Sequence, residues 1–477
     1  MGGLRAVSGC GDRTPRRTRR GPAGKRGLCA ALQTEVAQEI AALVGTGATD
    51  DWDFEAIETA ARRQALRVAA CAVQARLNAD TSDHRGPSLA CACGQPARYV
   101  DRRAKRFQSV LGDLVLERAY YHCAACQAGF CPRDRVLGLA GTSLSPGVTR
   151  MVGLVGAMVS FEEGHELLHA LAGVAVPTTH VERVAEHLGR EVAEDERHVV
   201  QPPETTAPLA PTLYVGIDGT GVPVRRAEVV DRAGKQPDGS AKTREVKLVT
   251  VWSAEGRDPE GTPTRDAGSV TYSAAIESAA QKDTEATPSA FAARVVREVT
   301  RRGVDRAARH VVLGDGAPWI WRLADEHVPE AIQIVDRFHA KQYLSTVAKS
   351  IYGATSDVAQ SWARARHDEL DAGDRDALLT ALRAHAPYHA EAQNGVDYVE
   401  RNRARLDYPA FRAAGLCTST GVVEAGCKVA IGTRCKRAGM HWTVAGADAI
   451  IALRCCKLSG RFEDFWERRA QQRQRVA

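Results

Sequence analysis

Three carboxylates stand where metal chemistry becomes possible: Asp218, Asp315 and Glu424. Asp218 closes the apolar run Tyr-Val-Gly-Ile-Asp (214–218), Asp315 closes His-Val-Val-Leu-Gly-Asp (310–315), and Glu424 lies in Ser-Thr-Gly-Val-Val-Glu-Ala-Gly-Cys-Lys (419–428), which reads as a helix start. Acids at strand ends and on a nearby helix can gather at one point, and such a cluster repels itself unless it holds divalent cations. Gly219 and Gly316 directly follow the two aspartates, so the backbone can turn away and leave each carboxylate projecting. Two cations about 3.5–4 Å apart can drive in-line attack on a phosphodiester. Each acid also has a plain explanation. Asp-Gly is a common turn pair, and Glu424 can belong to a helix-capping arrangement with Gly421 or pair with Lys428 one turn later. Asp336 and His339 in Asp-Arg-Phe-His join the catalytic candidates, one helical turn apart at the same sheet edge, with His339 able to orient a phosphate or a carboxylate. Their plain explanation is a helix-capping aspartate and a core histidine.

A second constellation is made of sulfur. Cys91-Ala-Cys93 and Cys123-Ala-Ala-Cys126 are two cysteine knuckles separated by a predicted strand hairpin, the layout of a zinc ribbon with four thiolates in a tetrahedron. The first knuckle is shorter than the usual C-x-x-C, which leaves Cys131 or His122 as alternate ligands. The chain has 13 cysteines, an odd number, and no visible export signal, so a disulfide framework is not expected. Cys417, Cys427, Cys435, Cys455 and Cys456 read as small core residues.

The elements that must position these groups are legible as patterns. Residues 1–30 are rich in Arg, Gly and Pro and read as a disordered basic tail, or as leader translated from a start codon placed too far upstream. A helical region covers 31–88, the ribbon-like module 89–135 (strands at 97–100, 107–110 and 114–120), and two helices joined by a tight turn at 145–198 suggest helix-turn-helix DNA binding. The proline-bearing stretch 199–211 reads as a linker. An α/β pattern then runs from 212 to 340, with strands at 213–218, 246–252, 269–273, 310–313 and 331–335. Charged helices fill 341–410, and the α/β part closes over 411–470 with the Glu424 helix.

A first acid on strand one, a second on strand four and a third on a late helix is the layout of a ribonuclease-H-like catalytic domain with a helical insertion. The segments Gly-Ile-Asp-Gly-Thr-Gly-Val-Pro (216–223), Leu-Gly-Asp-Gly-Ala-Pro-Trp-Ile-Trp (313–321), Ile-Val-Asp-Arg-Phe-His (334–339) and the Glu424 helix together resemble the DDE transposases of bacterial insertion sequences, nearest to the ISKra group, relatives of Mutator-type transposases. The resemblance covers roughly 90–470. It implies a transposase that cleaves insertion-sequence ends and joins the freed 3′-hydroxyl to target DNA. Two Mg²⁺ (or Mn²⁺) ions would be held by Asp218, Asp315 and Glu424. The implied partners are double-stranded DNA, as terminal inverted repeats and target, and further copies of the chain in a synaptic complex.

Charge agrees with a polyanionic partner only locally. Net charge is +6, from 64 Lys+Arg against 58 Asp+Glu, too little to argue from alone. Clusters at 13–26, 98–106 and 428–437 point to phosphate contacts. Arg102, Arg103, Lys105, Arg106, Lys428, Arg434, Lys436 and Arg437 are the candidates, with Trp442 as a base-stacking candidate whose plain reading is core packing. No apolar run nears the roughly 20 residues of a membrane span. With no signal peptide visible, a cytoplasmic, nucleoid-associated location is expected. Two other functions fit the same residues: a structure-selective nuclease or resolvase that cuts without joining, and a DNA-binding regulator that has lost catalysis.

Overall fold

The computed structural model describes residues 33–34, 36–41, 53–199, 211–230, 232, 234, 236, 238–277, 289–418 and 421–475, leaving out the side chains of Val423 and Glu424. The expected basic tail and most of the expected linker lie outside the described residues. The chain divides into two compact units, one ending at Val148 (with Arg473–Ala477) and one spanning Thr149–Gln472.

The first unit is built on an antiparallel sheet ordered β1 (Ser88–Ala90), β2 (Pro96–Ser109), β3 (Gly112–His122), β4 (Gly129–Phe130). The two short strands expected at 97–100 and 107–110 are one continuous strand. The run Asp101–Arg106 is polar, so a hydrophobic pattern breaks there, but its backbone stays paired with β3 across a single irregularity between Tyr99 and Asp101. The long helix α1 (Phe54–Ala79) packs against β3, and the short helix α2 (Pro132–Val136) follows β4. Its Gln74 accepts from the Val115 N–H, and Asn78 bonds the Val115 carbonyl and the Glu117 N–H. Side-chain amides thus satisfy an edge that would otherwise invite further strands.

The second unit centres on a five-stranded mixed sheet. In chain order its strands are β5 (Thr212–Pro223), β6 (Thr243–Ser253), β7 (Thr271–Ile276), β8 (Arg309–Gly314) and β9 (Ile332–Val335), and in space they run β9-β8-β5-β6-β7. β5, β6 and β7 pair antiparallel, while β8 and β9 lie parallel to β5. Burial on both faces explains why Val246–Ser253 is buried throughout instead of alternating. One face packs Val215, Ile217, Val249, Val251 and Val312 against Phe291 and Val295 of α6 (Ala290–Arg301) and Ile320 and Ala324 of α7 (Pro318–His327). The connecting helices earlier in this unit are α3 (Pro146–Met158, which begins in the first), α4 (Phe161–Ala172) and α5 (Thr178–His198). Ser160 and Glu163 form a full capping box on α4, and Gly173 ends it in the left-handed conformation.

Between β9 and the last helices lies an all-helical stretch: α8 (Arg337–Tyr352), α9 (Asp357–Ala372), α10 (Arg375–Arg383), α11 (Ala390–Arg401) and α12 (Tyr408–Ala413). The short helix α13 (Gly421–Gly426) runs directly into a π-helical turn, Cys427–Gly432. α14 (Val444–Leu458) and α15 (Phe462–Arg475) close the chain. α14 is buried along nearly its whole length and lies against α5 and β7. The approach to α5 is so close that a Cβ on Gly189 would meet the Ala449 carbonyl oxygen at 2.0 Å.

Candidate active site

β5 is longer than its hydrophobic run suggests, so Asp218 sits mid-strand in the ladder with β6, opposite Leu248. On the parallel side the ladder with β8 ends at Gly216 opposite Leu313. Asp218 and Asp315 are each two residues beyond that pair. Counting on in register puts them side by side on neighbouring strands, on one face of the sheet. The chain turns sharply after Asp315: Gly316 has φ +97°, and the Asp315 carboxylate accepts from the Ala317 N–H at 2.9 Å.

The face that carries Asp218 is the one covered by α13. Leu248 and Thr250 share that face, and a Cβ on Gly426 would meet Thr250 Oγ1 at 2.9 Å and Leu248 Cδ2 at 3.2 Å. Cys427, buried and one helical turn after position 424, directs its thiol at the Asp218 carboxylate. The thiol was expected only as core filler. Burial pushes the Asp218 carboxyl above the ordinary aspartate range. The thiol, the Gly219 N–H and nearby His339 oppose the shift, and the Asp315 charge adds to it. The side chain of Glu424 lies outside the described residues.

β9 delivers the next group. Val335 pairs with Gly314, so Asp336 emerges beside Asp315. Asp336 is 1% exposed, and its carboxylate accepts from the Phe338 and His339 N–H groups as the cap of α8. The helix cap, one of the two readings of Asp336 from the sequence, is therefore present: its side chain ties off the start of α8. His339, one turn on, presents a buried Nε2 with no hydrogen-bond partner among the described residues. A buried unpaired imidazole nitrogen beside a pair of carboxylates is costly in isolation, and it fits a site that receives a cation, its water or a phosphate oxygen.

The sulfur constellation forms in the first unit. Cys91 and Cys93 lie in the β1–β2 turn, where Gly94 has φ +83°, and Cys123 and Cys126 in the β3–β4 turn. All four sulfurs lie within 4.8 Å of one another, with Cys91–Cys126 at 3.5 Å and Cys93–Cys123 at 3.7 Å. A tetrahedron of thiolates around zinc at ~2.3 Å has edges of about 3.8 Å, so the four residues fit that metal. Backbone N–H groups of Cys126 and Ala125 help lower the Cys123 thiol to about 7. Cys126 is pushed up to about 12: the Ala128 N–H favours its thiolate, but the sulfurs of Cys93, Cys91 and Cys123 outweigh it. Cys131 and His122, the alternates, are not members of the group.

No protein-family model matches the chain, and no curated protein matches it. Among solved structures, the chain is similar to a Drosophila P element transposase in its strand transfer complex, at 10% identity and a TM-score of 0.24, over 70% of this chain and 83% of that one. A likeness that slight carries no argument about function.

The basic candidates separate by burial. Arg102 is half-buried and pairs with the buried Asp83 at 2.9 Å, and Lys105 pairs with Asp134 at 3.5 Å, so both serve the first unit's interior. Arg103 lies 3.5 Å over the Tyr120 ring and is exposed, as is Arg106. Arg434 and Trp442 were expected at a DNA surface, and the structure corrects both. Arg434 is fully buried between the rings of Phe161 and Trp442, and burial pushes its guanidinium down to about 10. Trp442 is 6% exposed and donates its indole N–H to the Cys435 carbonyl. Lys428, Lys436 and Arg437 are exposed. Lys436 donates to Thr220, two residues past Asp218 on the same strand face, and Arg437 pairs with Glu163. Among the described residues no helix is long and apolar enough to cross a membrane.

Proposed function

We propose that this chain is a metal-dependent DNA strand-cleaving and strand-joining enzyme, a DDE-type transposase of the ISKra kind, with a ribonuclease-H-like catalytic unit. The observation that supports the reading is the parallel ladder of β5 and β8, whose register carried two residues on brings Asp218 and Asp315 together, with the His339 Nε2 that has no partner among the described residues and the helix of Glu424 over the same face. The strand order β9-β8-β5-β6-β7, with the first three chain-order strands antiparallel and the last two parallel to the first, supports the fold assignment.

In this reading Asp218, Asp315 and Glu424 would hold two Mg²⁺ ions, which would supply nucleophile activation and charge stabilisation at the departing oxygen. His339 orients a phosphate oxygen through Nε2. Lys436, beside the same strand face, together with Lys428, contacts the DNA backbone, and Arg103 and Arg106 of the first unit add phosphate contacts. Hydrolysis breaks one phosphodiester and leaves a 3′-hydroxyl. That hydroxyl then attacks a target phosphodiester, so one bond forms as one breaks. The four-cysteine cluster can hold a structural zinc that pins the two hairpin turns together.

The test is incubation of the full chain with Mg²⁺ and donor DNA carrying the inverted repeats that flank its gene, with cut and joined strands mapped. Cleavage at the repeat ends followed by joined 3′ ends is expected. Cleavage without joining would replace the transposase by a nuclease of the same chemistry, and absence of any cutting would end the reading.

A further inference from the structure

The helical insertion reaches back to the turn that carries the second aspartate. Tyr398 on α11 and Asn402, the residue that caps its C-terminus, are spaced i, i+4 and lie one above the other at the end of the helix. The Tyr398 hydroxyl donates to the Asp315 carbonyl at 3.0 Å. Asn402 is fully buried and donates through Nδ2 to the Gly316 carbonyl at 3.3 Å and the Tyr398 carbonyl at 3.0 Å, while its Oδ1 accepts from the Trp321 indole at 2.9 Å. The Tyr398 ring is stacked on Tyr343 of α8, centroids 4.5 Å apart. The ring also lies so close to Gly316 that a Cβ there would meet Tyr398 Cε2 at 2.6 Å. Both carbonyls of the Asp315-Gly316 turn are therefore held by one helix, and the Trp321 indole fixes that helix's asparagine to α7, which the turn leads into.

We propose that Tyr398 and Asn402 are positioning residues for Asp315: the insertion clamps the turn from behind so that the carboxylate faces Asp218 at a fixed distance, and the affinity of the metal site depends on that clamp. The proposal rests on the two-metal reading above. A flexible turn at φ +97° has many alternatives that would swing the carboxylate away. Groups that orient a metal ligand without touching the metal are worth on the order of 10–100-fold in metal affinity.

The experiment uses the full chain, zinc-replete, with Mn²⁺ as probe. Bound Mn²⁺ is counted by electron paramagnetic resonance, and thermal unfolding is followed in parallel. Asp218→Asn defines binding unrelated to the site. Tyr398→Phe removes one hydroxyl and leaves the ring stack, Tyr343→Phe is the control on the partner ring, and Asn402→Ala attacks the second contact. The expected result is Mn²⁺ binding about tenfold weaker in Tyr398→Phe than in Tyr343→Phe, at matched melting temperatures, with a parallel rise in the Mg²⁺ needed for half-maximal cleavage. Mn²⁺ affinity within twofold of wild type in a folded Tyr398→Phe protein overturns the clamp while the two-metal reading stands. If Tyr398→Phe is unfolded, the same criterion is applied to Asn402→Ala. Wild type binding no more Mn²⁺ than Asp218→Asn ends the two-metal reading and the clamp with it.

Discussion

Replacing Asp218 by Asn should make the metal-free protein more stable while destroying its chemistry. Asp218 is a partly buried carboxylate with Asp315 as neighbour and, among the described residues, no Lys or Arg paired with it. Removing the charge relieves the cost of burying it, the larger penalty, and the repulsion from Asp315, the smaller one; together these are on the order of 3 kcal/mol. A buried amide that loses part of its hydrogen bonding returns about 1 kcal/mol of that, leaving a net gain of ~2 kcal/mol. For a unit of about 320 residues the unfolding entropy is ~0.7 kcal/mol/K, so the melting point should rise by ~3 °C. The sign with pH follows from linkage. Burial raises the folded-state pKa above the unfolded one, so this group's stabilisation is complete below about pH 4 and is lost as pH rises through the raised value. The variant's advantage should therefore be largest at neutral pH and shrink on acidification. Mg²⁺ at ten times its dissociation constant should return about 1.4 kcal/mol to the wild type and nothing to the variant, narrowing the gap. Scanning calorimetry at pH 7 and pH 4, with and without Mg²⁺, reads all three effects. An Asp218→Asn protein that melts below wild type in Mg²⁺-free buffer at pH 7 refutes the reasoning, since it would mean the carboxylate is already satisfied without a cation.

Asp315→Ala is expected to abolish strand cleavage and joining, scored on end-labelled donor DNA, while gel-shift affinity for the same DNA stays within about threefold; an active variant removes Asp315 from the site. Protein purified without chelator should contain one zinc per chain by elemental analysis, and Cys123→Ser should lose it and loosen the β1–β4 sheet in hydrogen exchange; zinc-free wild type would show the four thiols to be structural alone. Arg461 bridges Glu196 and the fully buried Glu298, each at 3.1 Å, and burial, which alone would lower its pKa, is outweighed by those two carboxylates. Arg461→Ala should thus cost about 3–5 kcal/mol in urea denaturation, and a loss under 1 kcal/mol would show the carboxylates to be relieved by other groups.

What the sequence determined by itself was local and periodic. Short apolar runs and turn residues marked all five strands of the second unit and their order along the chain, because run length and glycine conformations are properties of a few neighbouring residues. The spacing of Cys91, Cys93, Cys123 and Cys126 was enough to anticipate a four-sulfur cluster, because two hairpin turns fix where their thiols go. The same locality set its limits. β2 was cut in two because its charged middle hides a ladder held by backbone bonds. Arg434 looked like a DNA contact because its neighbours are basic, and only packing between Phe161 and Trp442 shows it sealed inside. Asp336 carried two readings, a site residue and a helix cap, and the cap is the one the fold displays. The register that sets Asp218 beside Asp315, the thiol of Cys427 on the first carboxylate, and the grip of Tyr398 and Asn402 on the second were decided by tertiary structure alone. Each joins residues from about 80 to more than 200 positions apart, and no short-range pattern encodes which of many possible partners closes that distance.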